Sequence, residues 1–515
     1  MKLLLSFIFI LAALCGFSQE ATKQPGILPV LYINVYESGT ETFNDEIISA
    51  NLDHKEYFKG VYWLETNGCS WIEDPEAENL GSRENPLPLQ IKARGNYTRV
   101  AFAKKPFKIK LDSKQAMLGL SKSKHFALLA HADDSHGYLN NFTGFNLGKR
   151  IGLPWTPSVR PLELYINGDY RGLYFLTESV RVEKDRVNIT ELLDNEQNSD
   201  LVSGGYLVEL DNYDEPEDIQ LRITEKYCAG KWHNPYIRVS FKEPESYSDL
   251  QRAFITQQFN AINDGAETCD RDDVVWSYID LDDAARYYLV REIMSDSESY
   301  IQSTYLFRDR GEGQKWHFSP LWDFGQSFTS TARTDLFVNH AKLGTTWLLS
   351  WMQNEKFMNK VRETWIWFMQ NCYDGLEKDI DDFESSIAEA AKRDAARWKN
   401  VPLPSDSRAE PVCDNSDIES KAIFAKNFLN DKINWMKSIY GDYASLPKTD
   451  EPERDDTPAA MLPEFIQVSV YEMSDTSTGT GHEEYYTLQG LKTNSPRPGN
   501  LYIIVTPEGA SKRIF

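Results

Sequence analysis

The chain has 515 residues, 41% of them apolar and 13% aromatic, which supplies a large core and excludes wholesale disorder. Its formal charge of −23 excludes a general nucleic-acid binder, which needs a basic face, and disfavours adsorption to anionic membranes. The length suits about three domains, or two with extensions, and any anion site must be a local basic pocket in an acidic protein.

Lys2, the apolar run Leu3–Leu14 and the small residues of Gly16-Phe17-Ser18 have the layout of an export signal over residues 1–18. The run is too short to span a bilayer comfortably, and Leu14 before Cys15 is a poor lipoprotein context. The mature chain is therefore expected to be exported, with no transmembrane segment. Its cysteines Cys69, Cys228, Cys269, Cys372 and Cys413 are too scattered for a disulfide framework or a zinc cluster. Residues 19–90 read as a β-rich extension with strands at Ile27–Val35 and Val61–Leu64. A denser block follows over 91–443, then a linker rich in charge and proline at 444–463 and a small β tail at 464–515.

Within the main block, Arg94-Gly95-Asn96 precedes the basic run Lys104–Leu111. On a strand, Phe107, Ile109 and Leu111 face the core while Lys108 and Lys110 face outward, offering cations to phosphates or simply a solvated face. His125, His131 and His136 match no zinc spacing, whereas Asp133, Asp134 and Asn141 suit a polar loop opening a helix over Asn140–Ile151. LELYI and YRGLYFLTE flank Asn167-Gly168, the composition of a tight hairpin turn. Glu178 ends that hairpin, either as a surface glutamate or as the partner of a phosphate-binding lysine.

Leu281–Met294 has helical periodicity, with Asp282 expected to cap it and Ala285, Tyr288, Leu289 and Ile293 on one face. If Asp296–Tyr300 is extended, Asp296, Glu298 and Tyr300 point the same way, and their carboxylates repel unless a cation or donors intervene. Thr304–Phe307 and Lys315–Phe318 read as a hairpin around Gly311-Glu312-Gly313 that delivers Trp322-Asp323-Phe324 beside the helix end. One carboxylate to orient a hydroxyl and another to hold a metal is what phosphoryl transfer requires. Asp323-Phe324-Gly325 spells the kinase DFG triplet, but no HRDxxxxN loop, VAIK strand, GxGxxG loop or Walker loop accompanies it.

Taken in order, ARGNYT, KKPFKIKLDSK, FALLAHADD, Asn141, LELYINGDYRGLYFLTESV, GGYLVELD, REIMSDSESYIQSTYLFRD and PLWDF resemble the CotH family of atypical secreted protein kinases, over roughly 90–330. The resemblance implies an α+β fold: a divergent, two-lobed kinase-like domain with a helical lobe, followed by the small β tail. It implies ATP with Mg or Mn as cofactors, and phosphorylation of serine or threonine on an exported or surface protein acceptor. Asp323 falls on the family's metal-binding aspartate, Glu298 on its presumed catalytic aspartate and Asp296 on the asparagine of the same motif. Arg94, Lys105, Lys108 and Lys110 lie in blocks expected near the phosphates, and Glu178 and Asn141 join them as cofactor-binding candidates.

Four departures bear on activity. Glu298 is one methylene longer than the expected aspartate, Asp296 adds charge where an amide is expected, Gly325 lacks a second polar side chain, and Asn140 replaces a commonly basic residue. A catalytically impaired pseudokinase acting as a surface scaffold is the alternative these imply; carbohydrate binding or surface assembly is a third reading. The C-terminal YYTLQGLKTNSPRPGNLYIIVTPEGASKRIF resembles short β sorting tails of secreted proteins, so the expected location is the periplasm, the cell surface or outside.

Overall fold

The structure is a computed structural model that describes residues 27–36, 57–72, 78–133, 138–211, 219–222, 236–267, 273–296, 298–328, 347–463, 484–487, 492–493, 501–506 and 509–514. The predicted export signal, Asp134 and His136 lie outside these residues. The fold is mixed α/β, in two compact units.

The first unit comprises 1–132, 160–177 and 382–419 and contains a closed seven-stranded barrel. Its strands are β1 (Val30–Tyr36), β2 (Phe58–Glu65), β3 (Leu87–Ala93), β4 (Phe107–Met117), β5 (Leu120–Leu129), β6 (Val159–Ile166) and β7 (Asp169–Glu178), with the short helix α1 (Tyr97–Ala101) after β3. Closure comes from β1 pairing in parallel with β6, Val30 opposite Glu163. Residues expected as an extension therefore contribute β1, β2 and part of β3 to this barrel. The alternation predicted for β4 holds: Phe107, Ile109 and Leu111 are buried with Leu31, Ile33, Ile91, Leu164 and Leu176, while Lys108 and Lys110 are half-buried. Each such apolar side chain removed from water contributes about 1.5–3 kcal/mol. Asn167 and Gly168 take φ of 50° and 80°, the left-handed pair a two-residue hairpin demands, and the Asn167 Oδ1 also accepts the Val35 N–H at 2.7 Å.

The second unit comprises 133–159, 178–381 and 420–515. A five-stranded sheet is ordered β12 (His317–Phe318), β11 (Thr304–Arg308), β8 (Tyr206–Asp211), β10 (Tyr236–Glu243) and β9 (Ile219–Arg222). Its helices are α2 (Leu139–Arg150), α3 (Asp249–Glu267), α4 (Leu281–Met294), α5 (Leu348–Trp351), α6 (Glu355–Asn371), the first part of α7 (Leu376–Trp398) and most of α8 (Ile418–Tyr440). A small sheet, β14 (Lys492–Thr493), β13 (Glu484–Thr487), β15 (Leu501–Thr506) and β16 (Gly509–Ile514), forms the tail.

Helix α4 matches its predicted bounds, but its cap is Asp280, whose Oδ1 accepts the Asp283 N–H at 2.9 Å, and not Asp282. Asp282 sits one step inside, where its Oδ1 meets Lys360 at 3.4 Å. The whole of α4 is buried, so its apolar face is less informative than its two ends. The expected hairpin around Gly311–Gly313 is present but short, with Leu306 opposite Phe318 and Phe307 opposite His317.

Candidate functional site

Helix α4 ends at Ser295, held in the left-handed region at φ 49°, and the chain then coils through Asp296, Glu298 and Tyr300. The Ser299 N–H bonds the Asp296 carbonyl at 3.3 Å and the Ile301 N–H bonds the Glu298 carbonyl at 3.2 Å. This corrects the extended reading of Asp296–Tyr300. Consecutive turns replace a pleat, so side-chain directions do not follow a period of two. Asp296 is fully buried, while Glu298 and Asp323 are half-buried.

Arg291, in the last turn of α4 and 1% exposed, organises the site and was not singled out from the sequence. Its Nη1 forms an ion pair with Asp296 Oδ2 and donates to the Asp323 carbonyl at 3.2 Å. Its Nη2 donates to the Trp322 carbonyl at 2.8 Å and its Nε to the Tyr287 hydroxyl at 3.1 Å. The guanidinium lies over the Phe324 ring, 4.4 Å from the centroid, a cation–π geometry that satisfies its remaining face. Burial opposes its charge, but Tyr287, Asp296 and Asp323 overcome that cost and keep the group cationic. The bonds to the carbonyls of Trp322 and Asp323 also anchor the backbone at Asp323, where φ is 54°.

Asp296 spends both carboxylate oxygens locally. Oδ2 takes Arg291 and the Ser299 hydroxyl at 3.2 Å, and Oδ1 takes the Glu298 N–H at 3.4 Å. Burial still raises its pKa, with Arg291 opposing and the Asp323 charge adding. Glu298 is pushed up to about 8, first by burial, then by the charges of Asp323, Asp296 and Asp133, with Arg291 pulling the other way. Three predicted residues, Asp296, Glu298 and Asp323, thus share one electrostatic environment. The Asp323 carboxylate is a hard oxygen donor of the type a divalent ion takes, but among the described residues Asp296, Glu298 and Asp323 do not form a group whose oxygens all lie within 4.8 Å of one another.

Helix α2 holds the loop carrying Asp323. The Asn141 Oδ1 accepts the Phe324 N–H at 2.9 Å and the Asn140 Nδ2 donates to the Ser327 carbonyl at 3.3 Å. Asn141, expected beside a cofactor, therefore has a backbone-holding contact. A Cβ on Gly144 would stand 2.3 Å from the Phe324 ring, and one on Gly148 would stand 2.3 Å from Leu321 Cδ1, so only glycine permits this approach. The Glu178 Oε2 accepts the Ser158 N–H at 3.0 Å, and its charge supports the nearby Arg186. Behind the site Glu292 forms a fully buried ion pair with Lys432 of α8, another contact no local pattern announces.

The basic candidates belong to the barrel unit. The Lys105 Nζ donates to the Arg99 carbonyl at 2.7 Å, and Lys108 and Lys110 stand on the outward side of β4. Arg94 is half-buried at the end of β3, its N–H bonded to the Pro106 carbonyl at 3.0 Å. The neighbouring Lys104, not singled out from the sequence, is fully buried against Asp394 at 2.9 Å.

Among the described residues, the trio of potential metal ligands that lies within 4.8 Å is elsewhere: Asp280, Asp283 and His317. The His317 Nδ1 is 2.6 Å from Asp283 Oδ2, and the Arg454 guanidinium reaches Asp280 and Asp283 at 2.9 and 3.2 Å. That group is a capped helix start already neutralised by an arginine.

A buried acid paired with an arginine at a helix end, with a loop aspartate whose carbonyl the same arginine holds, gives this mixed α/β protein an acidic polar site. The family described as CotH kinase protein matches residues 91–436, and the chain belongs to that family. Membership suggests a kinase-like function using ATP and a divalent metal. No curated protein matches the chain. No helix among the described residues is long and apolar enough to cross a membrane.

Proposed function

We propose that the chain is an exported phosphotransferase that moves the γ-phosphate of ATP to serine or threonine of secreted or surface proteins, on a divergent two-lobed kinase-like fold. The observation that carries this reading is that Arg291 pairs with Asp296 and holds the Asp323 carbonyl beside Glu298, whose carboxyl feels the charge of both acids, within a match to the CotH kinase family. Glu298 orients the acceptor hydroxyl and, in the ionised form that its raised value of about 8 makes scarce at lower pH, takes its proton. The hydroxyl oxygen bonds to the γ-phosphorus as the bridging P–O bond to the β-phosphate breaks, and ADP leaves with that electron pair. A divalent ion held by Asp323 would neutralise charge on the phosphates. Arg94, Lys105, Lys108 and Lys110 are the proposed phosphate-side cations, and Asn141 and Glu178 are proposed to act through the backbone they hold, at Phe324 and Ser158. Most of the rate enhancement would come from placement and electrostatics.

A second reading, a pseudokinase scaffold, is favoured by the commitment of Asp296 to Arg291 and by the absence of a side chain at Gly325. The two separate on one experiment. Purified protein is incubated with γ-labelled ATP, Mg²⁺ or Mn²⁺ and candidate exported acceptors. Transfer that falls at least about 100-fold in Asp323→Ala supports the first reading, since losing a group that positions the phosphates costs on that order. Nucleotide binding without transfer supports the second, and transfer indifferent to Asp323→Ala removes Asp323 from the mechanism.

A further inference from the structure

Outward positions on a barrel strand are ordinarily polar, because they face water while the alternate positions fill the core. On one side of this barrel a run of neighbouring outward positions is aromatic instead. Tyr32 on β1 lies directly opposite Trp63 on β2 and Tyr165 on β6, and Tyr170 follows across the β6–β7 turn. Their rings form one row, with centroids 4.8 Å apart from Trp63 to Tyr32, 5.2 Å from Tyr32 to Tyr165 and 5.2 Å from Tyr165 to Tyr170. Each of these residues is half-buried. Stacked carbons touch at about 3.5–4.0 Å, so rings at these centroid distances overlap only in part. Like tiles, they leave part of each face outward.

Ionised side chains of both signs edge the row. The Glu163 Oε1 accepts the Tyr170 hydroxyl at 2.7 Å and pairs with Arg393 Nε at 2.7 Å, and Asp169 pairs with Arg397 at 3.0 Å. At the other end, the Tyr32 hydroxyl bonds Glu65 and lies in the field of Arg83. All these groups belong to the first unit.

The shape and charge of the row select its ligand. It is a strip across successive strands, which suits an extended polymer and not a small molecule. Its acids, Glu65, Glu163 and Asp169, are matched by Arg83, Arg393 and Arg397, so it favours neither a polyanion nor a polycation. The rings touch one another, leaving no slot for the prolines of a polyproline helix and no cage of converging faces for an ammonium group. A sugar polymer meets these conditions. The C–H face of a sugar ring is apolar and lies on aromatic carbon, while carboxylate and guanidinium groups take its hydroxyls. We propose that this row is a binding site for a neutral polysaccharide, with Tyr32, Trp63, Tyr165 and Tyr170 as the platform and Glu163 and Arg393 as its hydrogen-bonding edge. The inference does not rest on the phosphotransferase reading, since it uses none of the residues assigned to transfer.

Cross-strand aromatic pairs also stabilise sheets, so the test reads binding and not stability. The full-length protein is run on native gels cast with hydroxyethyl cellulose, galactomannan, dextran or soluble β-glucan, beside albumin as a non-binding reference. Retardation in at least one of these polymers is expected. Trp63→Leu/Tyr165→Leu keeps apolar cover but removes two ring faces, and should weaken that retention at least about tenfold, the scale of two aromatic contacts. Migration like albumin in every polymer overturns the proposal, whether or not the protein captures a polyproline peptide. Unchanged retention in the folded double variant overturns it as well. If the double variant does not fold, Arg393→Ala decides, at a side chain 44% exposed: weakened retention supports the site and unchanged retention overturns it.

Discussion

His131 shows how one side chain links the barrel unit's burial to pH. Its ring packs on Phe175 with centroids 4.8 Å apart, and its Nε2 is enclosed although the residue as a whole is half-buried. Burial, reinforced by the charges of Lys104 and Arg94, pushes the imidazole down to about 3. The folded protein keeps His131 neutral, while the unfolded chain binds a proton below about pH 6.5. The depressed value therefore stabilises fully above pH 6.5 and loses that contribution as the pH falls towards 3. His131→Asn tolerates the positive φ of 47° and removes the titration. The stability difference between native and variant, read from urea melts, is expected to shrink by about 1.4 kcal/mol between pH 7.5 and 5.5. A constant difference would show that His131 titrates normally. Residue identities carried little of this in advance, because a buried histidine and a surface one are written alike. The same holds at the site. Asp296 is legible as an unusual acid, but its neutralisation by Arg291 depends on a helix end turning one residue back upon another five positions away.

At the scale of elements, what was readable was local. Asn167-Gly168 specifies its own turn, the periodicity of 281–294 specifies α4, and the alternation in β4 specifies its inward face. The coil at Asp296–Tyr300 was not readable, since it follows from the left-handed Ser295 and from bonds to Arg291 that exist only once α4 and the Asp323 loop are in place. Glycines on α2 are an intermediate case: Gly144 and Gly148 four residues apart mark a smooth face, though not what lies against it. The structure answers with Phe324 and Leu321. Gly144→Ala gains up to about 1 kcal/mol of helix propensity but forces the Phe324 ring away, and overpacking of this kind costs about 1–3 kcal/mol. We expect net destabilisation in chemical denaturation, with partial rescue by Phe324→Leu, which removes the obstructing ring. Stability equal to or above native for Gly144→Ala alone would mean that helix and loop do not approach this closely.

Across the whole molecule, the segment from 444 to 463 has the composition of a linker yet is held along the second unit by a series of polar contacts. Glu451 pairs with Arg286, Lys360 donates to the Glu453 carbonyl at 2.7 Å, and Arg454 bridges Asp280 and Asp283. Asp455 meets Lys356 at 2.7 Å while its N–H donates to Asp282 at 2.8 Å, and the Ala460 N–H reaches the Ser277 carbonyl at 2.8 Å. Nothing in its own composition announces this, because every partner lies about 90 or more residues earlier in the chain, on or just before α4 and α6. The contacts sit at the start of the helix whose other end carries Arg291, so the strap fixes one end of the element that builds the site. Exposed ion pairs contribute little, but Asp282, Asp283 and Lys360 are buried, and stripping partners from buried charges is costly. A chain ending at residue 443 should therefore be less stable than one ending at 463 by about 2–5 kcal/mol, scaled from the cost of unpairing buried charges. Because the lost contacts are largely ionic and several are partly exposed, the gap should narrow in 1 M salt, where the screening length falls to about 3 Å. Equal melting curves for the two chains at low salt would return the segment to the status of a tether. A gap that persists undiminished at high salt would instead assign its hold to the backbone bonds at Glu453, Asp455 and Ala460.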